Sequence, residues 1–291
     1  MTFSIVARAE SDSTGPQWGV AVASKFLAVG AVVPGAQAGV GAIATQAYAN
    51  VAYVPDGLDL LRRSRTAQQV VDELTGADDQ RAERQLGVVD ASGRAASFTG
   101  AECMDWAGGI AGDGVAIQGN ILAGPEVVSA MHDAWLASDP GAPLARRLLT
   151  ALQAGDAAGG DRRGRQSAAL YVVTEGGGYG GGNDVYVDVR VDDHPEPCRE
   201  LARLLDLHHV YFEAPAADAL VPLADVQDDV NRWLAALGYP DLEAWVGVEN
   251  YEMRIVDGKI DRYVLDALER QAEKQAAESA TSRGTSSTSR G

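Results

Sequence analysis

Two apolar, β-rich runs stand almost at the start of the chain, at residues 3–7 and 18–24. The turn-forming cluster Glu10-Ser11-Asp12-Ser13-Thr14-Gly15-Pro16 separates them. Such a pair reads as a β-hairpin that fixes the first strands of a sheet from the second or third residue onward. Residues 27–48 continue with Gly, Ala and Val broken by Pro34, Gly35, Gly39 and Gly41, which fits further closely packed strands.

The period then changes. From Pro55 to Leu74 the apolar positions Leu58, Leu61, Val70, Val71 and Leu74 follow a helical spacing. Residues 84–90 and 94–99 form a second hairpin around Asp90-Ala91-Ser92-Gly93, and residues 114–118 give another short strand. Gly124-Pro125-Glu126 opens a helix, and Asp139-Pro140 precedes a second one with Leu144, Leu148, Leu149 and Leu152 inward. Residues 168–174 and 184–191 are strands joined by a glycine-rich turn. Hairpins with helices grouped between them point to a layered α+β architecture rather than alternating βαβ units.

An Ala/Pro stretch at 213–222 marks a linker, so the main domain is expected to span 1–212. Residues 223–275 read as three helices in a small module. Gly238 is placed to end the first helix and Asp241 to cap the second. Residues 276–291 are rich in Ser, Thr, Gly and Arg and are expected to be disordered.

Composition excludes several function classes. With 24 Lys+Arg against 41 Asp+Glu the formal charge is −17, which repels nucleic acid and anionic membrane as general partners. No apolar run is long enough to span a bilayer, and the N-terminus lacks the basic and apolar regions of a signal peptide, so the expected compartment is cytoplasmic. The two cysteines, Cys103 and Cys198, make no disulfide framework and lack metal-ligand spacing. The four histidines show no two-histidine metal pattern, and no nucleotide-binding or serine-hydrolase motif is present. No cofactor and no metal are expected.

Position 2 offers chemistry. Once the initiator Met is removed, Thr2 carries a hydroxyl nucleophile and an α-amine base in one residue. The amine's ordinary pKa of about 7.7–8.0 suits that task near neutrality. The following residues Phe3 to Val6 read as a core strand and would hold Thr2 in place. The second strand ends Ala23-Ser24-Lys25. Lys25 is one of only three lysines, and its charge could tune the nucleophile. Gln118-Gly119-Asn120 lies between a strand and a helix start, where the Asn120 amide could hold an oxyanion and Gln118 could contact substrate. The segment from Asp161 through Arg162, Arg163 and Arg165 to Ser167 is a basic loop before a core strand. Asp161, Arg165 and Ser167 are candidate substrate contacts there, with Arg165 suited to a carboxylate.

These segments together resemble one family. The motifs are Met1-Thr2-Phe3-Ser4-Ile5-Val6-Ala7-Arg8, Gly19-Val20-Ala21-Val22-Ala23-Ser24, Gln85-Leu86-Gly87-Val88-Val89-Asp90, Gln118-Gly119-Asn120 with Leu122-Ala123-Gly124, Gly164-Arg165-Gln166-Ser167-Ala168-Ala169-Leu170, and Asp188-Val189-Arg190-Val191-Asp192-Asp193-His194-Pro195. They look like the bacterial domain of unknown function numbered 1028, grouped with the N-terminal nucleophile (Ntn) hydrolases. The resemblance implies a four-layer αββα sandwich in which Thr2 attacks an amide carbonyl. Further on, Val226-Gln227, Leu237-Gly238-Tyr239, Asp257-Gly258-Lys259-Ile260-Asp261 and Ala267-Leu268-Glu269 resemble peptidoglycan-binding helical domains.

The expected function is therefore an Ntn-type amidohydrolase acting on a small, anionic amide, with a peptidoglycan fragment as a partner for the C-terminal module. The competing expectation is a non-catalytic protein that binds a ligand or a cell-wall fragment on the same scaffold. Small Gly/Ala-rich sheets also leave a homo-oligomer open.

Overall fold

The computed structural model describes residues 2–10 and 15–286, with side chains as far as Ser279. Part of the expected first turn and the last five residues lie outside that description. The chain divides into two units, Met1–Leu205 and Asp206–Gly291.

In the first unit the opening hairpin is β1 (Thr2–Ala9) and β2 (Gln17–Ser24). β3 (Pro34–Gln37) and β4 (Gly41–Ala47) follow, then α1 (Tyr53–Arg62) and α2 (Ala67–Gly76). Next come β5 (Arg84–Asp90), β6 (Ala95–Thr99), β7 (Gly108–Gly112) and β8 (Val115–Asn120). The unit continues with α3 (Glu126–Ala137), α4 (Leu144–Ala157), β9 (Ser167–Val173) and β10 (Val185–Val191). α5 (Pro197–Phe212) carries the chain out of it.

The strands form a six-stranded sheet in the order β10-β9-β2-β1-β8-β7 and a four-stranded sheet in the order β3-β4-β5-β6. β1 is central in the larger sheet and pairs antiparallel with β2 (Phe3 opposite Ala23) and β8 (Thr2 opposite Asn120). Its side chains alternate between two cores. Phe3, Ile5 and Ala7 join Met131, Leu148 and Leu152 of α3 and α4, while Val6 joins Val20, Val22, Ala42 and Val89 between the sheets. A third core packs Val70, Val71 and Leu74 of α2 against Ile43, Leu86 and Val88. Because β1 and β2 are covered on both faces, they read as continuous apolar runs instead of alternating ones. Each fully buried Ile, Leu or Phe contributes about 1.5–3 kcal/mol relative to exposure. Gly19 lets α4 approach β2, since a Cβ there would lie 2.7 Å from Leu148 Cδ1.

Three differences from the sequence expectations concern this unit. The helical stretch at 55–74 is two helices, interrupted at Ser64 (φ 61°) and restarted by a capping box between Thr66 and Gln69. β7 forms from a Gly-rich segment with little propensity of its own. α5 occupies residues that carried no clear helical reading.

The second unit begins with β11 (Leu220–Pro222), α6 (Leu223–Leu237) and α7 (Leu242–Glu249). It ends with β12 (Ile255–Val256), β13 (Lys259–Asp261) and α8 (Arg262–Ser286). It is not all-α: β11, β13 and β12 make a small antiparallel sheet. The stretch read as a linker thus supplies a strand. The expected helix start at Lys259 is a strand as well, because Ile260 turns into the core beside Trp245, Val230 and Leu268. The expected disorder from 276 does not hold as far as Ser286, which α8 includes. Asp241 caps α7 by accepting from the Ala244 N–H, and Gly238 ends α6 at φ 81°. A nearly dry ion pair, Arg254 Nη1 to Asp261 Oδ2 at 2.7 Å, stands at the core's edge.

Candidate functional site

Thr2 begins β1 and is 5% exposed. Its hydroxyl shares a hydrogen bond with the Ser24 hydroxyl at 3.2 Å. Ser24 ends β2, and the β1–β2 register sets the two side by side. Thr2 also lines a cavity of about 390 Å³ with Phe26, Val29, Val32, Val33, Gln46 and Tyr48.

Behind Thr2 a network of amides fills the space between the sheets. The Gln46 amide nitrogen donates to the Thr2 carbonyl (3.2 Å), to Gln85 Oε1 (2.8 Å) and to the Gln118 carbonyl (3.2 Å). Gln46 Oε1 accepts from the Ser4 hydroxyl at 2.6 Å. The Gln118 amide donates to Ser4 Oγ at 2.6 Å. The Asn120 amide donates to Gln85 Oε1 (3.0 Å) and, at a longer 3.4 Å, to the Thr2 carbonyl. All these side chains are buried, and their mutual hydrogen bonds, which leave only Gln118 Oε1 of this group without a partner, make the arrangement rigid and specific.

The sequence-predicted residues separate into two groups. Thr2, Gln118 and Asn120 belong to this one network. Asn120 is committed to Gln85 and to the Thr2 carbonyl, so its amide positions Thr2. Lys25, Asp161 and Arg165 gather at the end of β2, where Asp161, Arg165 and Ser24 line a separate cavity of about 90 Å³. Buried Asp161 accepts from the Lys25 backbone N–H at 2.7 Å and pairs with the Arg163 guanidinium at 3.0 Å. Arg165 pairs with Asp156 at 2.7 Å, which raises the pKa of its guanidinium further. The exposed Lys25 ammonium donates to the Arg165 carbonyl at 3.3 Å. These cations are therefore held by carboxylates and carbonyls beside the Thr2 cavity, and none lines it. Ser167 is buried and binds the chain leaving β2: its hydroxyl donates to the Phe26 carbonyl and accepts from the Val29 N–H.

Gln46 and Gln85 were not singled out from the sequence. Their signal is a glutamine inside each of the apolar strands β4 and β5. Among the described residues no group of three or more His, Cys, Asp and Glu is placed to hold a metal ion, and no helix is long and apolar enough to cross a membrane. Both cysteines are free, and burial pushes the Cys198 thiol pKa far up.

The two sheets and their helices define an α+β protein with a buried threonine hydroxyl at the start of its central strand. Residues 2–201 match the "Family of unknown function (DUF1028)", and the chain belongs to that family. Residues 211–268 match a second family, described as "Putative peptidoglycan binding domain". Among solved structures, protein SPO2555 from Silicibacter pomeroyi, of the same DUF1028 family, is 32% identical with a TM-score of 0.64. That match covers 75% of this chain and 96% of the other. Anbu (ancestral beta-subunit) from Yersinia bercovieri is also matched, at 13% identity and a TM-score of 0.31, over 74% of this chain and 98% of the other. Among curated proteins nothing matches the chain.

Proposed function

We propose that the first unit is a four-layer αββα sandwich of Ntn type and that it hydrolyses an amide through Thr2. Three stacked cores support the layering: one beneath α3 and α4, one between the sheets and one beneath α2. One observation carries the chemistry. The Thr2 hydroxyl is held at a rigid strand end and paired with Ser24, and Thr2 lines a cavity of about 390 Å³.

With Met1 removed, the Thr2 α-amine takes the hydroxyl proton while Oγ1 attacks the amide carbonyl carbon. The resulting tetrahedral centre expels the amine, which leaves with that proton, and an ester on Thr2 remains. Water then adds to the ester carbonyl and releases the acid, regenerating the hydroxyl. Ser24 orients Oγ1, while Gln46 and Asn120 fix the Thr2 carbonyl. Gln118 holds Ser4 against Gln46. Asp161 fixes the backbone of Lys25 and with it the neighbouring Ser24.

The test is Thr2→Ala in a screen of small amides, with far-ultraviolet circular dichroism to confirm the fold. Loss of all turnover with the fold intact supports the reading; unchanged turnover overturns it. Ligand binding that survives Thr2→Ala, with no turnover of any amide by the unaltered protein, would instead establish the non-catalytic binder. The second unit is proposed as a recognition module for a peptidoglycan fragment, on the strength of its family match and a cavity of about 630 Å³ lined by Leu242, Val246 and Ile255. Co-sedimentation of the full chain with insoluble peptidoglycan tests this, and failure to sediment overturns it.

A further inference from the structure

We infer that the Thr2 cavity selects an uncharged, apolar group, with Val33 and Tyr48 setting the preference. That this group is the acyl side of a scissile amide rests on the hydrolase reading above; the binding preference does not.

The lining determines the chemistry. Phe26, Val29, Val32, Val33, Ala47, Tyr48 and Ala49 surround the space, and Thr2 and Gln46 supply polar groups at it. Among the described residues no Asp, Glu, Lys, Arg or His lines it. A carboxylate placed there would lose its water and meet no cationic side chain in return, which is unfavourable, and the Thr2 α-amine of the proposed mechanism acts in its neutral, basic form. Neighbouring cations are engaged elsewhere: the Lys25 ammonium donates to the Arg165 carbonyl at 3.3 Å. Arg165 is paired with Asp156 and Arg163 with Asp161. Arg84 lies 5.5 Å from the Tyr48 ring centroid, but its donors go to Asp78, Gln80 and the Tyr48 carbonyl.

The rim supports the same conclusion. Phe26 is 51% exposed and Tyr48 69% exposed, and Leu27 and Val51 stand out to solvent on the same two connections. Apolar side chains gathered beside a cavity mark a place where apolar surface is to be buried. Their backbone is held in shape. Ala28 (φ 51°), on the first connection, and Ala47 (φ 69°), the last residue of β4, sit in the left-handed region, a conformation that a non-glycine residue keeps only when its surroundings impose it. The Ala28 N–H donates to the Asp192 carbonyl at 3.0 Å, and Ser167 binds the main chain at both Phe26 and Val29. Ser167 thus acts as a positioning residue for this wall, two strands away from Thr2 in the sheet order.

The experiment compares two probes by calorimetric titration into the full chain carrying Thr2→Ala, so that no turnover intervenes. The probes are N-phenylacetylglycinamide and the anionic N-succinylglycinamide. The expected result is at least about tenfold tighter binding of the phenylacetyl probe, and its loss by a similar factor in the additional variants Tyr48→Ala and Val33→Asp. Tyr48 is mostly exposed, so Tyr48→Ala keeps the fold even where Val33→Asp does not. Equal or tighter binding of the succinyl probe overturns the inference. So does the absence of binding by both probes at millimolar concentration, which includes the case of a second copy of the chain covering the cavity. Retained selective binding with no hydrolysis of the phenylacetyl amide by the unaltered protein would remove the hydrolase reading and leave this inference standing.

Discussion

Replacing Gln46 by leucine removes an amide that touches four other groups between the two sheets. The Ser4 hydroxyl donates to Gln46 Oε1 and would lose that acceptor. Three oxygens lose a donor: the Thr2 carbonyl, Gln85 Oε1 and the Gln118 carbonyl. Two of these keep a bond from Asn120, at 3.4 Å and 3.0 Å. One donor is therefore stranded and three acceptors are weakened, a loss of roughly 3–5 kcal/mol in total. The leucine side chain returns about 1 kcal/mol through its added apolar burial. The net loss of about 2–4 kcal/mol corresponds to roughly 30- to 700-fold faster hydrogen exchange in β4 and β8, at about 1.4 kcal/mol per tenfold. Exchange read by mass spectrometry on peptides covering 41–47 and 115–120 measures this locally, which avoids treating a two-unit chain as a single two-state transition. Gln46→Glu should lose more, because a carboxylate would face three oxygens it cannot donate to. A change below about threefold for Gln46→Leu would refute the view that the amide network holds the sheets together behind Thr2.

The other predictions concern packing and charge. A Cβ at Gly87 would lie 2.1 Å from Gln118 Oε1, whose amide nitrogen is held by Ser4 at 2.6 Å. Gly87→Ala should therefore cost about 1–3 kcal/mol by thermal denaturation, and Gln118→Ala in the same chain should recover part of it. Asp78 receives Arg84 Nε at 2.9 Å and the Tyr53 hydroxyl at 2.9 Å, and these partners, Arg84 first, hold its carboxyl well below the usual range. A carboxyl depressed in the folded state stabilises above its unfolded pKa of about 3.9 and loses that contribution as pH falls through the folded value. The melting temperature of Asp78→Asn should accordingly trail the unaltered protein by a constant margin above about pH 5, with the gap closing below about pH 4. Arg254 and Asp261 are 3% and 5% exposed at their side chains. Asp261→Ala should thus cost the second unit about 3–5 kcal/mol by stranding the guanidinium, measured as loss of exchange protection around Trp245.

Much of the fold was legible because its strongest signals are local. The β1–β2 hairpin, the β5–β6 hairpin and the caps at Asp241 and Gly238 each follow from a few neighbouring residues. The break between α1 and α2 was hidden by the helical spacing on both sides of it, although Thr66 and Gln69 spell a capping box. β7 and the three short strands of the second unit are too small or too glycine-rich to announce themselves, and they exist because neighbouring strands pair with them. Thr2 was legible from its position at the head of a strand. Gln46 and Gln85 were not, since a glutamine in a strand ordinarily faces water and only the facing six-stranded sheet buries these two, Gln46 against the Thr2 carbonyl and Gln85 against Asn120 and the Gly119 carbonyl. The Arg162 to Arg165 cluster stood out by charge, but its pairing was not local: Arg165 reaches Asp156, near the end of α4.

The central claim is that Thr2 becomes the reacting terminus of the chain. Intact-mass spectrometry of protein that hydrolyses an amide, taken before and during turnover, tests it most directly. The account predicts a mass lacking Met1, with a further species heavier by the acyl group of the substrate and absent from Thr2→Ala. Met1 retained on protein that turns over substrate would contradict it.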